Sequence, residues 1–150
     1  MNQIPYLMMV TVLLFSPWVN FPQDQDSASA SDSLFVLITG CKNDQGNIKI
    51  ALCNSENNYT SGTEAFRGDS LFIRNRQAEI VFRNIPYGEY GIKIFHDENN
   101  DGRLSTGFLG IPVEVYGFSN NARGRFGPPG WSAVKFKFET PADSMVINLK

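Results

Sequence analysis

An acidic segment in the second half of the chain has the spacing of a calcium-binding loop. Asp97, Asn99 and Asp101 place side-chain oxygens at alternate positions, and a glycine follows directly. Calcium takes such oxygen ligands, and the glycine permits the sharp turn between them. The Arg103 carbonyl and the Ser105 hydroxyl are the next candidate ligands in this spacing. These five residues form the predicted metal site.

The same segment also has the composition of an ordinary turn. Phe108 stands where an EF-hand has its bidentate glutamate, and no helical pattern flanks the loop. Asn, Asp and Gly form turns without any metal. Glu98 or Glu114 would have to complete the ligand set, so any affinity should be weak, on the order of 10⁻⁴–10⁻³ M. A calcium loop and a plain turn both stay open.

A second concentration of functional side chains lies in residues 116–131, where aromatic rings alternate with amides and guanidinium groups. A platform for a sugar or a peptide requires such groups. The predicted ligand-binding residues are Tyr116, Phe118, Asn120, Asn121, Arg123, Arg125, Phe126 and Trp131. The alternative is structural, since the same aromatic rings could close one end of the fold and hold a long loop in place.

Residues suited to catalysis are few. His96 is the single histidine of the chain, and its neighbour Asp97 could orient it as a base. Carboxylates between residues 97 and 114 could form an acid and base pair, but their spacing does not select that chemistry. We therefore expect a protein that is not an enzyme, with a small secreted hydrolase as the alternative.

The rest of the chain alternates apolar and polar residues with period two, which predicts β-strands. No stretch of ten or more residues beyond residue 20 has a helical stripe. The apolar positions of the predicted strands are Leu34–Ile38, Ile48, Ile50, Leu52, Ala78, Ile80, Phe82, Tyr90, Ile92, Ile94, Val134, Phe136, Phe138, Met145, Ile147 and Leu149. About seven short strands indicate an all-β fold, an antiparallel β-sandwich of the immunoglobulin or prealbumin type over residues 34–150.

Two cysteines, Cys41 and Cys53, lie near the ends of the first two predicted strands. Residues 34–42 and 47–54 read as a hairpin joined by a turn at 43–46. In that hairpin the two thiols would lie several residues apart along the ladder, farther than a disulfide permits. The sequence therefore predicts two unpaired thiols.

Two stretches resemble known families. The run from Phe82 to Tyr90, with its Asn-Ile-Pro-Tyr-Gly turn, resembles the strand-turn-strand signature of transthyretin-like and carboxypeptidase-regulatory-like sandwiches. Residues 96–133 resemble the bacterial exported family called domain of unknown function 2141, through the His-Asp-Glu-Asn run, Gly-Ile-Pro at 110–112, Tyr-Gly-Phe-Ser-Asn-Asn at 116–121 and Gly-Pro-Pro at 127–129.

That resemblance covers about residues 34–150 and implies an exported β-sandwich. It implies no established reaction, substrate or cofactor, so it does not decide the function. Members of the family often have an acid where this chain has Ser105. This difference weakens the metal prediction for the loop.

The amino-terminal segment has features of an export signal. The first 40 residues contain no Lys or Arg, and residues 7–15 are apolar apart from one threonine. This length suits the apolar region of a secretory signal and is too short to span a bilayer. We predict a signal peptide at 1–22 and a polar linker at 23–33. A buried amino-terminal segment and a membrane anchor are the alternatives.

Charge excludes one class of partner. Residues 1–30 contain two acids and no base, so the remaining 13 bases and 13 acids cancel. Binding to nucleic acid by phosphate neutralisation is therefore not expected. We expect an exported module, periplasmic, cell-surface or secreted, that binds a glycan, a peptide or an envelope protein through residues 110–131. No transmembrane segment is expected in the mature chain, and a structural envelope component is a further alternative.

Overall fold

A computed structural model describes residues 32–62 and 64–150 of the chain. These residues form eight strands, two short α-helices and two 3-10 turns at Phe108–Gly110 and Ser119–Asn121, so the predicted all-β class is confirmed. The strands are β1 (Ser33–Thr39), β2 (Asn47–Cys53), β3 (Arg67–Phe72), β4 (Ala78–Arg83), β5 (Gly88–Asp97), β6 (Tyr116–Phe118), β7 (Phe136–Phe138) and β8 (Ala142–Asn148). The helices are α1 (Glu56–Ser61) and α2 (Trp131–Val134). The predicted signal peptide at 1–22 and most of the predicted linker at 23–33 lie outside the described residues.

The strands form two sheets. A three-stranded sheet has the order β4-β1-β8, and a five-stranded sheet has the order β3-β2-β5-β6, with β7 paired to the beginning of β5. The antiparallel expectation holds for each of these pairs except β1 and β8, which run parallel. β8 is thus an edge strand of the smaller sheet and lies next to β1.

The core lies between the inner faces of the two sheets. Alternate residues of β1 and β2 are buried there, as the period-two pattern predicts. The largest fully buried apolar side chains are Leu34, Val36, Ile38, Ile48, Leu52, Ile85, Ile92, Val134, Phe138 and Ile147. Val134 belongs to helix α2 and not to a strand. It packs with Cys53, Tyr59 and Phe118 in a second, smaller cluster on the outer face of the larger sheet.

The predicted hairpin of residues 34–54 is wrong. β1 pairs with β4 and β8, whereas β2 pairs with β3 and β5, so the connection between them crosses from one sheet to the other. Asp44 in this connection accepts hydrogen bonds from the backbone N–H groups of Asn75 and Arg76, at 3.0 and 2.6 Å. This contact ties the crossing to the turn after β3, which local sequence spacing does not reveal.

The prediction of two unpaired thiols is confirmed, although the hairpin behind it is not. Cys41 and Cys53 are both buried and free. Burial raises the pKa of Cys41 to about 11 and also raises the pKa of Cys53. Both side chains are therefore neutral near pH 7 and pack as small apolar groups.

Gly46 has a conformation and a position that exclude a side chain. Its φ is +69°, and a Cβ atom at this position would lie 2.0 Å from the backbone oxygen of Asp97. We expect Gly46→Ala to lower the free energy of unfolding by more than about 3 kcal/mol, from strain and overpacking together. Chemical denaturation of wild type and variant measures this loss.

Gly102 is the matched control, because its φ is +76° and a Cβ atom added there would meet no atom within 4 Å. Gly102→Ala should lose only the strain of the left-handed conformation, about 1–2 kcal/mol. Equal losses for the two variants would contradict the close approach at Gly46.

Candidate functional site

The outer face of the five-stranded sheet forms the floor of a groove. Side chains alternate along β2 and β5, so Lys49, Ala51, Lys93 and Phe95 point away from the core. In the ladder Ala51 lies opposite Lys93, and Lys49 lies opposite Phe95. Two ammonium groups therefore flank a small residue on one face of the sheet.

Helix α1 and the segment leading into α2 cover one end of this outer face. Tyr59 of α1 packs against Phe118 and Trp131, with ring centroids 6.3 and 5.8 Å apart. Its hydroxyl donates to the Pro129 carbonyl at 2.7 Å, and burial raises the pKa of Tyr59 to about 12. The tyrosine therefore stays a neutral donor that holds the two covering segments together.

Trp131 lies directly over β5. A Cβ atom at Gly91 would lie 2.7 Å from the Trp131 ring, so only glycine leaves room for the indole there. Ser119 also fixes this region, because its hydroxyl accepts from the Ile92 N–H at 2.9 Å and donates to the Val134 carbonyl. The covering segment is thereby attached to the strand that supplies the groove floor.

These elements leave a groove of about 620 Å³ next to the covered end. This volume lies within the range of sites for small molecules. Most of the lining is apolar, and the charged side chains are two lysines and one glutamate. The lining residues are Lys49, Ile50, Ala51, Glu56, Tyr59, Thr60, Gly62, Lys93, Ile94, Phe95, Leu104, Tyr116, Phe118, Pro128, Pro129, Gly130 and Trp131.

The two lysines of the groove differ in their partners. Lys49 Nζ lies 3.7 Å from Asp97 Oδ2 and 3.1 Å from Ser70 Oγ. Lys93 Nζ donates to the Tyr59 carbonyl at 2.7 Å and lies 5.4 Å from the centroid of the Tyr59 ring. Within residues 32–62 and 64–150, no carboxylate oxygen lies within 4.0 Å of Lys93 Nζ.

The structure divides the predicted ligand-binding residues into two groups. Tyr116, Phe118 and Trp131 line the groove. Arg125 and Phe126 do not, and Phe126 is 92% exposed with the Arg125 guanidinium 5.3 Å from its ring centroid.

The polar members of the predicted set bind the backbone. Asn120 Nδ2 donates to the carbonyls of Ala133 and Lys135, and Asn121 exchanges hydrogen bonds with the backbone of β8. The Arg123 guanidinium donates to the carbonyls of Tyr116 and Asn148. These three side chains fasten the 119–123 segment to its neighbours.

Several groove residues escape the sequence prediction. Lys49 and Lys93 face outward on predicted strands, as the alternation indicates. The alternation does not show that the two residues share one face, because that depends on the pairing of β2 with β5. Tyr59 gives no such signal, because residues 55–68 show neither a strand nor a helix pattern in the sequence. Its place in the groove follows from helix α1, which begins with a capping box at Ser55.

The predicted metal loop is closed by its own carboxylates. Asp97 is fully buried, and its oxygens accept from the backbone N–H groups of Asp101 and Gly102 at 3.1 and 3.0 Å. Asp101 Oδ1 accepts from the Arg103 N–H at 2.8 Å, and Asn99 Nδ2 lies 3.4 Å from Ser105 Oγ. The five predicted ligands are thus brought together in one tight turn.

Glu114 anchors the same loop from outside. One of its oxygens accepts from the Glu98 N–H at 3.0 Å and the other from the Ser105 N–H at 2.7 Å. Across the described part of the chain, no group of three or more His, Cys, Asp or Glu side chains is arranged to hold a metal ion. The carboxylates of Asp97, Asp101 and Glu114 contact backbone N–H groups, the Asn99 side-chain amide and Lys49.

His96 is fully buried at the end of β5. Its Nε2 lies 2.7 Å from the Gln45 carbonyl and therefore carries a proton, and its Nδ1 lies 3.4 Å from the Lys42 backbone nitrogen. Both ring nitrogens thus have backbone partners. This arrangement makes His96 a structural link to the crossing between the sheets.

A small hairpin at residues 105–113 carries an exposed apolar tip. Thr106 and Pro112 form an isolated bridge, and backbone hydrogen bonds join Gly107 to Ile111 and Val113 to Ser105. Four large apolar side chains at and beside the tip are 60–89% exposed. They are Phe108, Leu109, Ile111 and Val113.

Fold and site together define a class: an all-β sandwich of two sheets that carries an aromatic groove with two lysines on the outer face of the larger sheet. A family model described as an uncharacterized protein conserved in bacteria, domain of unknown function 2141, matches residues 36–146. The chain belongs to this bacterial family, which confirms the resemblance seen in the sequence. No curated protein and no solved structure matches the chain. The likeness to transthyretin stays a prediction.

The described helices are too short to cross a membrane: none has both the length and the apolar character that a span requires.

Proposed function

We propose that the protein is an exported, non-catalytic binding module that takes a small ligand with an apolar body into the groove. The observation that carries this proposal is the groove itself, about 620 Å³ and bounded by aromatic and proline side chains. Export is supported by the signal-like pattern at residues 1–22 and by the family resemblance. The periplasm, the cell surface and the medium are the compartments that this pattern allows.

The chemistry of the lining favours an apolar ligand over a glycan. Sugars present many hydroxyl groups, each of which needs a polar partner when it leaves water. The groove offers few polar side chains beyond Lys49, Glu56, Thr60 and Lys93. Rings and prolines bury apolar surface instead, which supplies the larger share of the binding free energy for a small molecule.

A ligand screen by saturation-transfer NMR tests the groove, with a panel of aromatic, aliphatic and saccharide fragments on the full chain. We expect apolar fragments to bind wild type and to lose most of their signal in Ala51→Phe, which fills the floor, and in Trp131→Ala, which removes one wall. Phe126→Ala is the matched control, because this exposed ring lies outside the groove. Unchanged binding to Ala51→Phe, or a preference for saccharides throughout, would overturn the proposal.

Calcium binding by residues 97–105 stays a prediction. Asn99 and Asp101 supply two of the five predicted ligands, and both residues are exposed. If calcium binds here, a concentration ten times its dissociation constant should raise the melting temperature of wild type by about 3 °C or more. Asp101→Asn keeps an acceptor for the Arg103 N–H and serves as the control.

The measurement is a thermal melt of metal-stripped protein with and without millimolar calcium. A rise confined to wild type would confirm the site. Equal melting temperatures with and without calcium would return the segment to a plain turn.

A second candidate function is that of a structural envelope component, and the apolar hairpin favours it. A contiguous exposed apolar patch on a protein surface often marks a contact with another protein. If the hairpin mediates assembly between copies, light scattering should show an apparent mass that rises with concentration. Phe108→Ser together with Leu109→Ser should abolish this rise, and Phe72→Ser, which replaces an equally exposed ring on β3, should not. A mass that stays monomeric at all concentrations would contradict assembly.

A further inference from the structure

We propose that the ligand of the groove carries a carboxylate, and that Lys93 is the residue that binds it. This inference rests on the proposed function, since it names the chemical class of the ligand for the same groove. The observation behind it is the half-buried residue Lys93, whose ammonium group lies beside the Tyr59 ring and has no acidic partner within the described residues.

The ammonium group of Lys93 has no carboxylate within 4.0 Å among the described residues. The ammonium group has three N–H donors, and the Tyr59 carbonyl takes one of them. The Tyr59 ring adds a weak cation–π contact. Cys53, which lies on the same face one strand away, is buried and neutral near pH 7 and adds no negative charge. An ammonium group in such a setting gains most from an anion that replaces its lost hydration.

Lys49 supports the same site from the neighbouring strand. It lies diagonally across the ladder from Lys93, at a separation of roughly 7–8 Å for such pairs. Its charge is partly balanced by the buried Asp97 carboxylate at 3.7 Å. Lys49 therefore adds a longer-range attraction, and Lys93 is the lysine that is available for direct contact.

The acids near the groove disfavour a doubly charged ligand more than a singly charged one. Asp97 lies beneath Lys49, and Glu56 lines the groove on the α1 side. Both acids oppose a doubly charged group such as a phosphate monoester. A single carboxylate can accept the two remaining Lys93 donors while its apolar body packs against Phe95, Pro129 and Trp131. The expected ligand class is a small alkyl or aryl carboxylic acid.

The test compares acids with their neutral amides on the full chain. Phenylbutyrate and phenylbutyramide form the aryl pair, and octanoate and octanamide form the alkyl pair. Dissociation constants come from NMR titration at fixed ionic strength. We expect at least one acid to bind wild type about tenfold or more tightly than its amide, which is the usual scale of a charge-assisted hydrogen bond.

Three substitutions locate that preference. Lys93→Met should abolish the preference for the acid while the amide binds as before, and Lys93→Arg should retain most of it because the charge stays. Lys137→Met is the matched control, since Lys137 is exposed on β7 and lies outside the groove. The melting temperature of each variant shows whether it is folded, and Lys93→Arg keeps the test valid if Lys93→Met is not.

The outcomes distinguish a failure of the carboxylate inference from a failure of the proposed ligand-binding function. Equal binding of acid and amide to wild type, with both lost in Ala51→Phe, would overturn the carboxylate inference and leave the groove as a ligand site. A preference that persists in Lys93→Met would overturn the assignment to Lys93. Absence of binding by all four compounds would overturn the carboxylate inference, and the wider fragment screen would then decide the proposed function independently.

Discussion

Packing against both faces of β5 is the constraint on which the rest of this structure depends. Its inward side chains, such as Ile92 and Ile94, pack in the sandwich core. Its outward residues are Gly91, which lies under the Trp131 ring, and Lys93 and Phe95, which form part of the groove floor. A strand covered on both sides fixes the core and the site at once, because any shift in register would exchange the two faces.

The groove exists because the outer face of the larger sheet is only partly covered. Short helices α1 and α2 bury one end of it in a small second cluster formed around Tyr59, Phe118 and Val134. Helices this short have little intrinsic stability, so packing and local hydrogen bonds must hold them in place. Ser119 and Asn120 provide such bonds from the neighbouring segment. The uncovered remainder of the sheet becomes the candidate binding surface.

The far end of β5 shows how buried polar groups organise the adjoining loops. His96 and Asp97 are both fully buried, and each is hydrogen-bonded to backbone groups of a different loop. His96 holds the crossing between the sheets, and Asp97 holds the acidic turn. Leaving such groups unpaired would cost the full free energy of their desolvation, so satisfied partners here define the loop conformations closely.

Glu98, which follows directly after β5, has a pKa that its neighbours shift. Burial acts to raise the pKa of Glu98, but hydrogen bonds from Lys42 and Asn43, together with the positive charge of Lys42, hold that pKa below its usual value. A lowered pKa in the folded state stabilises the fold above the unfolded pKa, and this contribution is lost as the pH falls through the folded value. The exposed ion pair makes this contribution small.

The sequence by itself determined the all-β class, the strand faces and the family. Alternation at Ile48–Leu52 and Tyr90–Ile94 is a local property of a strand with one buried side, so it can be read without a structure. It also pointed to the 116–131 segment, of which Tyr116, Phe118 and Trp131 belong to the groove.

Only the tertiary structure decided which strands pair and therefore which residues share the site. The spacing of residues 34–54 suggested a hairpin, yet β1 and β2 lie in different sheets, because contacts distant in sequence, such as Asp44 with the turn at Asn75, direct the chain across the sandwich. The meeting of Lys93 with Tyr59, 34 residues apart, follows from the same kind of contact. Strand alternation predicts which face of the sheet a side chain occupies. The pairing of strands and the packing of the covering helices decide which residues it contacts.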